Sequence, residues 1–204
     1  MKWLIKSLFL IALLTVAVGN TTHAQDPNQS RQVEKMPVFM GEGEDFLKYI
    51  SDNLIYPEVA RTLGFQVEVM VSFTVNIDGT VSDVKALSKP GGGCDSEAVR
   101  VVSLSPPWKP AMYNGKAVKI TASAPVDFSL DKKDINKTIA HLKKSPYGFL
   151  FLVSGMICTL DEMEAKFGKL YDPSLIDEIK KYNNPKYAMP DKTGVYLIFM
   201  RNNL

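Results

Sequence analysis

Apolar and polar residues alternate regularly between Phe65 and Asn76. Every second residue from Phe65 to Val75 is apolar, and the residues between them include Gln66, Glu68, Ser72 and Thr74. This period of two predicts a strand with one buried face and one polar face. Asp78-Gly79 follows as a hairpin-turn signal, so Thr80 to Ser88 is the predicted partner strand.

Short helices are predicted on both sides of this hairpin. Apolar residues recur at helical spacing between Glu44 and Asn53. Pro57 suits the first turn of a second helix and Gly64 suits its end. After the hairpin, Asp95-Ser96 can cap a third helix from Glu97 to Leu104.

The segment after the third helix is predicted to be extended. Pro106-Pro107 cannot continue a helix, so Trp108 enters on an extended segment, where a ring that seals a small core is favoured over an exposed recognition residue. Asn114-Gly115 is a second tight-turn signal, and Lys116 to Leu130 is predicted to be one long final strand. Pro125 cannot donate a ladder hydrogen bond, which places this strand at a sheet edge or at a bulge. These elements predict an α+β fold, a two-layer module of short helices on a small antiparallel sheet.

The second half of the chain, residues 131–204, has a different pattern. It predicts a helix over Asp134–Lys144, a buried strand over Phe149–Val153 and a helix over Leu160–Phe167. Thr159 and Glu162 match the capping box that begins such a helix. Asp172-Pro173 opens the segment Ser174–Tyr182, and Gly194–Met200 is the predicted terminal strand, which together indicate a small α/β module.

The first residues have the layout of a secretory signal. Lys2 and Lys6 flank the start of an apolar run from Leu8 to Val18, which is shorter than the ~20 residues that a membrane span needs. Because small Ala24 ends the segment, a cleaved signal peptide over residues 1–24 is favoured over an uncleaved inner-membrane anchor. Export to the periplasm follows, and residues 25–35 are predicted to be a polar, flexible tether.

Charge and cysteine content exclude several classes of partner. Residues 25–204 hold 22 basic and 22 acidic side chains, a balance that offers no general attraction to nucleic acid or to anionic lipid. Residues 25–130 hold 10 basic and 13 acidic side chains, whereas residues 131–204 hold 12 and 9. Cys94 and Cys158 do not make a disulfide framework, and two separate buried thiols are favoured over a bond between them.

Catalytic signals are nearly absent, so no enzyme activity, metal or cofactor is predicted. His141 is the only histidine after residue 24, and one histidine cannot form a ligand cluster. Cys94 precedes a predicted helix, a position that can lower the pKa of a thiol, but no histidine lies near it in sequence. Gly91-Gly92-Gly93 lacks the Lys-Ser/Thr of a phosphate-binding loop and is predicted to be a flexible connection.

Seven motifs between Met36 and Leu130 occur in the order found in one protein family. They are Pro37-Val38-Phe39, Phe46-Leu47-Lys48-Tyr49-Ile50, Tyr56-Pro57-Glu58-Val59-Ala60, Val69 to Asn76 with Asp78-Gly79, Ser96-Glu97-Ala98-Val99-Arg100, Pro107-Trp108-Lys109-Pro110, and Asn114-Gly115-Lys116-Ala117-Val118. Together they resemble the C-terminal domain of TonB, in the form common in Bacteroidetes. The chain lacks the Pro-rich spacer of a complete transducer, so the resemblance, which covers residues 36–130, is to a module.

The resemblance implies a protein-binding function. The family's domain captures a short extended segment near the N-terminus of an outer-membrane receptor, by adding it to a sheet edge. Carried onto this chain, the partner-binding residues are Tyr56, Pro57, Lys116, Val118, Ile120 and Ala122. We therefore expect a periplasmic interaction module of the TonB-dependent transport system, which meets membranes only through a receptor or another envelope protein. No signal in the sequence indicates its oligomeric state.

Residues 131–204 resemble part of the plug domain of TonB-dependent receptors. The matching pieces are Phe151-Leu152-Val153-Ser154-Gly155, Asp172-Pro173 with Ile176 to Lys180, and Gly194-Val195 before the apolar strand. Ser154 stands where the plug usually has an acidic residue. An alternative function follows, a structural or regulatory envelope protein in which this plug-like half occludes the edge of the first module.

Overall fold

The computed structural model describes residues 33–41, 43 and 45–201. The predicted signal peptide and most of the predicted tether lie outside these described residues. The chain divides into two compact units: the first comprises the described part of Met1–Leu54 with Met70–Leu87 and Ala98–Val126, and the second Ile55–Val69, Ser88–Glu97 and the described part of Asp127–Leu204. These units are discontinuous in sequence, whereas the predicted modules are continuous, and the predicted boundary after Leu130 stays a prediction.

The described residues between 33 and 130 contain both helices and antiparallel strands, which confirms the predicted α+β fold class. The helices are α1 (Phe46–Asn53), α2 (Glu58–Thr62) and α3 (Cys94–Ser103). The strands are β1 (Val38–Phe39), β2 (Val67–Val75), β3 (Val81–Ala86), β4 (Trp108–Lys109), β5 (Ala111–Tyr113), β6 (Lys116–Val118) and β7 (Ile120–Phe128).

Three small antiparallel arrangements organise these strands. β2 lies between β3 and β7, while β1 pairs with β4 and β5 pairs with β6. The predicted hairpin of β2 and β3 is confirmed, because Val75 lies opposite Val81 and Gly79 has a φ of 82° in the turn. The alternation along β2 also holds, since Val69, Val71, Phe73 and Val75 are all fully buried.

An aromatic cluster forms the core of the first unit. The ring of Trp108 lies 4.8 Å from that of Phe46, 5.4 Å from that of Phe39 and 5.6 Å from that of Phe73, measured between centroids. Its indole N–H donates to the Ser105 hydroxyl at 3.2 Å. Trp108 is 5% exposed, so the prediction that it is a core residue is confirmed.

The second unit holds the elements that follow residue 130. Its helices are α4 (Ile139–Lys144) and α5 (Leu160–Phe167), and short 3-10 turns cover Lys132–Asp134, Pro173–Leu175 and Pro185–Tyr187. Its strands are β8 (Tyr147–Val153), β9 (Met156–Cys158), β10 (Ile176–Lys181) and β11 (Gly194–Met200). They form one sheet in the order β10-β11-β8-β9, in which β8 and β11 run parallel and the other pairs antiparallel.

The predicted helix over Asp134–Lys144 is wrong in its first half. Asn136 Oδ1 accepts a hydrogen bond from the backbone N–H of Thr138, and the Thr138 hydroxyl in turn caps the helix by accepting from the N–H of His141. These side-chain bonds hold residues 136–138 outside a helix, so α4 begins only at Ile139. The helix predicted after Thr159 is confirmed, with the capping box to Glu162 formed in both directions.

The run of three glycines makes a close backbone contact. Gly91 bridges to Ile179 of β10: the Ile179 N–H donates to the Pro90 carbonyl at 2.8 Å, and the Gly92 N–H donates to the Ile179 carbonyl at 3.2 Å. A Cβ on Gly91 would overlap with the Ile179 carbonyl oxygen, and its φ is 77°. The prediction of a flexible connection here is therefore wrong, because only glycine allows this approach and this backbone conformation.

Candidate protein-binding edge

The last strand of the first module lies at a sheet edge. β7 occupies one end of the order β3-β2-β7, and it contains Pro125, as the sequence predicted for an edge strand. Ile120, Ala122 and Ala124 are at most 2% exposed, whereas Thr121 and Ser123 are half-buried. An edge strand offers backbone N–H and C=O groups to an added strand, so β7 has the basic property that strand addition needs.

The opposite edge of the same sheet, formed by β3, is protected against pairing with an added strand. β3 carries Asp83 and Lys85 as exposed charges, and its pairing with β2 is irregular between Ser72 and Thr74. Asp83 has a φ of 53°, a left-handed conformation at this irregularity. Charges and bulges are the devices by which proteins block unwanted pairing at an edge. The stretch from Ile120 to Ala124 has no charged residue, so β7 is the more open edge for an added strand.

The single strand predicted over Lys116–Leu130 is wrong. Asn114 and Gly115 have φ values of 49° and 68°, which form a tight two-residue turn and direct β6 back onto β5. Lys119 lies outside both strands, and after it β7 pairs with β2 instead. The predicted edge therefore consists of a three-residue strand and a nine-residue strand in two different sheets.

Four predicted partner-binding residues lie on these two strands. Lys116 is exposed and Val118 half-buried on β6, while the side chains of Ile120 and Ala122 on β7 are buried in the core. The two β7 residues can meet a partner only through their backbone. Thr121 and Ser123 present side chains on the other face of β7, and the alternation from Ile120 to Phe128 is the sequence signal that could have identified them.

The hairpin of β5 and β6 has one further strand-like neighbour. The N–H of Glu34 donates to the Met112 carbonyl at 2.9 Å, and the N–H of Met112 donates to the Lys35 carbonyl at 2.9 Å. The Glu34 carboxylate also accepts from the N–H of Asn114 at 3.0 Å. Glu34 and Lys35, assigned to the flexible tether by sequence, thus lie against β5 and leave β6 as the outer strand of the hairpin.

The other two predicted residues, Tyr56 and Pro57, belong to the second unit. The Tyr56 hydroxyl donates to the Phe65 carbonyl, and its ring meets the Phe128 ring edge-on at 5.7 Å between centroids. Burial raises the pKa of the Tyr56 hydroxyl well above its usual value. Pro57 packs so near Gly93 that a Cβ there would lie 3.0 Å from the proline Cβ. Both residues therefore have packing roles, and their contact with a partner stays a prediction.

Cys94 is not an activated thiol. Cys94 and Cys158 are both free and buried. Burial, with a smaller contribution from the charges of Asp95 and Glu97, raises the pKa of the Cys94 thiol to about 12. The lowering that its place before a helix suggested is therefore wrong, because desolvation outweighs the helix N-terminus.

This burial predicts that Cys94 resists alkylation in the folded protein. At pH 8 the thiolate fraction should be roughly a thousandfold lower than for an exposed cysteine, since the pKa rises from 9.0 to about 12. Labelling with iodoacetamide followed by mass spectrometry should find Cys94 modified only after unfolding in guanidinium. Rapid modification of the native chain would contradict this account.

Comparison with known proteins identifies one segment. Residues 52–130 match the family model of the Gram-negative bacterial TonB protein C-terminal domain. The match covers less than half of the chain. This family is an envelope-associated protein-interaction module involved in TonB-dependent transport, and residues 52–130 are similar to it. The segment includes all six predicted partner-binding residues.

Among solved structures, the NMR solution structure of Helicobacter pylori TonB-CTD (residues 179–285) is similar. Its sequence is 27% identical to this chain over the matched residues. The match covers 45% of this chain and 87% of the Helicobacter pylori chain, with a TM-score of 0.33. A comparison with curated proteins finds no match. Among the described residues, no helix is both long enough and apolar enough to cross a membrane.

Proposed function

We propose that the chain is a periplasmic interaction module of the TonB-dependent transport system, and that its β7 edge binds an extended segment of an outer-membrane receptor. The proposal rests on one observation above all. β7 lies at the edge of the sheet within the family-matching segment, and residues 120–124 carry no charge that would block pairing. Backbone hydrogen bonds of a new ladder would supply affinity.

The geometry of β7 also restricts the bound segment. An added strand places alternate side chains on the two faces of the sheet. One row would lie beside Thr121 and Ser123, where small polar or β-branched side chains fit the half-buried surface. The other row would extend the face that carries Ile120 and Ala122, which favours apolar side chains. The partner is thus an uncharged, alternating segment in an extended conformation.

Site-specific photo-cross-linking in the native cell envelope tests this function. A photoreactive residue at Thr121 should give adducts with outer-membrane receptors, because this half-buried position borders the open edge. The same probe at Lys85, on the protected β3 edge, is the matched control and should give several-fold fewer adducts. Equal yields from both positions would argue against strand addition at β7.

The same experiment addresses the second half of the chain. We propose that this half begins after Leu130 and is similar to a plug domain. If the probe at Thr121 cross-links only to residues 131–204, receptor capture is rejected and the regulatory function, in which the second half occludes β7, is supported. Adducts only with unrelated envelope proteins would indicate a structural role.

A further inference from the structure

The second unit contains a cavity that strand addition does not use. It has a volume of about 330 Å³ and lies where β8 and β11 end, at Val153 and Met200. These two strands are parallel neighbours, so both carboxyl ends open toward the cavity. In open α/β sheets, ligands bind in the crevice outside the carboxyl ends of parallel strands, and this volume is within the range of small-molecule sites.

The lining of the cavity is mainly apolar. α5 contributes Met163, which is 5% exposed, and Phe167 at its C-terminal end. Phe167 and Leu170 line the cavity although they are 57% and 63% exposed, so apolar surface continues from the interior onto the rim. The Tyr171 hydroxyl donates to the Leu63 carbonyl at 2.9 Å, which satisfies the polar atom of this buried lining residue. An apolar chain would therefore gain burial along the whole wall.

One cation lies among the lining residues. Arg201 is fixed to the segment before β10: its backbone N–H donates to the Leu175 carbonyl at 2.7 Å and its Nη2 to the Ser174 carbonyl at 3.0 Å. Its Nε lies 3.8 Å from Asp177 Oδ1. No hydrogen bond from its Nη1 is found within the described residues and its side chain is 59% exposed, so Nη1 is accessible to a ligand that enters the cavity.

The single acidic lining residue is engaged differently. The Asp172 carboxylate accepts the backbone N–H of Ser174 at 2.9 Å and so caps the 3-10 turn that follows. A planar guanidinium with open donors matches a carboxylate, and a charge-assisted hydrogen bond is stronger than a neutral one. The available donor therefore favours an anionic head group over a cationic one.

We propose that this cavity binds a small amphiphile, an unbranched apolar chain that ends in a carboxylate, of the size of a medium-chain fatty acid. The chain lies between Met163, Phe167 and Met200, and the carboxylate accepts from Arg201. This site is separate in sequence from β7, so its occupancy can be measured independently of receptor capture.

Methyl NMR of the full-length chain tests the proposal with defined probes. The chain has 9 methionines, of which Met163 and Met200 line the cavity and Met36 and Met40 do not. With ¹³C-methyl methionine labelling, octanoate below its micellar concentration should shift Met163 and Met200 saturably and leave Met36 and Met40 unchanged. Decanoate should bind about tenfold more tightly than octanoate, because two further methylenes are buried. Absence of a saturable shift, or equal shifts at all four methionines, would overturn the site.

Head-group selectivity separates the carboxylate from its alternatives. Octanol and octylamine should each bind at least about tenfold more weakly than octanoate, since a hydrogen bond between charged groups is lost. Arg201→Gln should weaken octanoate by a similar factor and leave octanol unchanged, whereas Lys181→Gln, an exposed charge away from the lining, should change neither. Equal binding of octanol and octanoate to the unmodified chain would overturn recognition of the carboxylate.

A second pair of variants keeps the test independent of folding. Leu170 is mostly exposed, so its replacement should leave the fold intact. Leu170→Gln should weaken octanoate and octanol by a similar factor, because it removes apolar surface from the rim, whereas Leu170→Met, which keeps an apolar side chain, should weaken neither. If Leu170→Gln leaves both ligands unchanged, the apolar chain does not lie along this wall and the proposal fails.

Discussion

Replacement of Gly91 by alanine is expected to lower the free energy of unfolding by about 3–4 kcal/mol. The left-handed backbone at this position costs a residue with a Cβ roughly 1–2 kcal/mol. The Cβ would also overlap with the Ile179 carbonyl oxygen, so the segments must separate and lose the two hydrogen bonds that join Pro90 and Gly92 to Ile179, each worth about 1 kcal/mol.

Gly155 provides the matched control. Its φ is 80°, close to the 77° of Gly91, and among the described residues no atom beyond Gly155 and its two chain neighbours lies within 4 Å of the place where its Cβ would be. Gly155→Ala should therefore show the conformational cost alone, about 1–2 kcal/mol. Guanidinium denaturation of both variants measures the difference. If the two substitutions lower the free energy of unfolding equally, the close contact with Ile179 does not contribute to stability. Glycine would then be needed at position 91 only for its left-handed backbone conformation.

The sequence predicts local structure well where one residue type has one strong local partner. Thr159 with Glu162 predicts the start of α5, and Asp78-Gly79 predicts the hairpin of β2 and β3, because each signal acts within four residues. The burial of Trp108 is predicted from its restrained, extended segment. These signals depend on no distant contact, so the fold class of the first module could be obtained from them.

Elements decided by distant contacts are harder to predict. In β10, Ile176 and Ile179 are both buried although they are three residues apart, a spacing typical of a helix face. A register shift between Ile176 and Glu178 in the pairing with β11 brings both side chains to the buried face of a strand. The type of the segment after Asp172-Pro173 is therefore set by β11, which is distant in sequence.

In the candidate site, too, some features follow from local sequence signals and others from distant contacts. Pro125 predicts an edge strand from one local property, and β7 does lie at an edge. The chain breaks at Lys119 because β6 pairs with β5 whereas β7 pairs with β2. No local residue pattern specifies these partners. The packing role of Tyr56 likewise depends on Phe128, which lies 72 positions later in the chain.

A chain that ends at Leu130 is expected to lose the folded structure of residues 55–69. Leu63 and Phe65 in this segment are at most 1% exposed. Tyr171 binds the Leu63 carbonyl, and Gly64 lies so near Ile135 that an added Cβ would be 2.7 Å from its Cγ2. Deletion of residues 131–204 removes both partners and uncovers buried apolar groups and a buried carbonyl, the changes that give the largest losses of stability.

Hydrogen exchange measured by mass spectrometry tests this expectation. Amides of residues 59–65, including the Phe65 N–H that donates to the Ala60 carbonyl, should exchange at least about a hundredfold faster in the shortened chain than in the full chain. Tyr171→Phe is the matched control, because it removes only the hydrogen bonds of the hydroxyl, to the Leu63 carbonyl and the more distant Asn136 carbonyl, and should cost about 1–2 kcal/mol. Unchanged protection in the shortened chain would instead support an independent domain over residues 36–130, and receptor peptides could then be tested on that domain alone. If the amides of residues 59–65 lose protection, any change in peptide binding after the deletion would reflect unfolding. Receptor capture and self-occlusion must then be distinguished in the full chain.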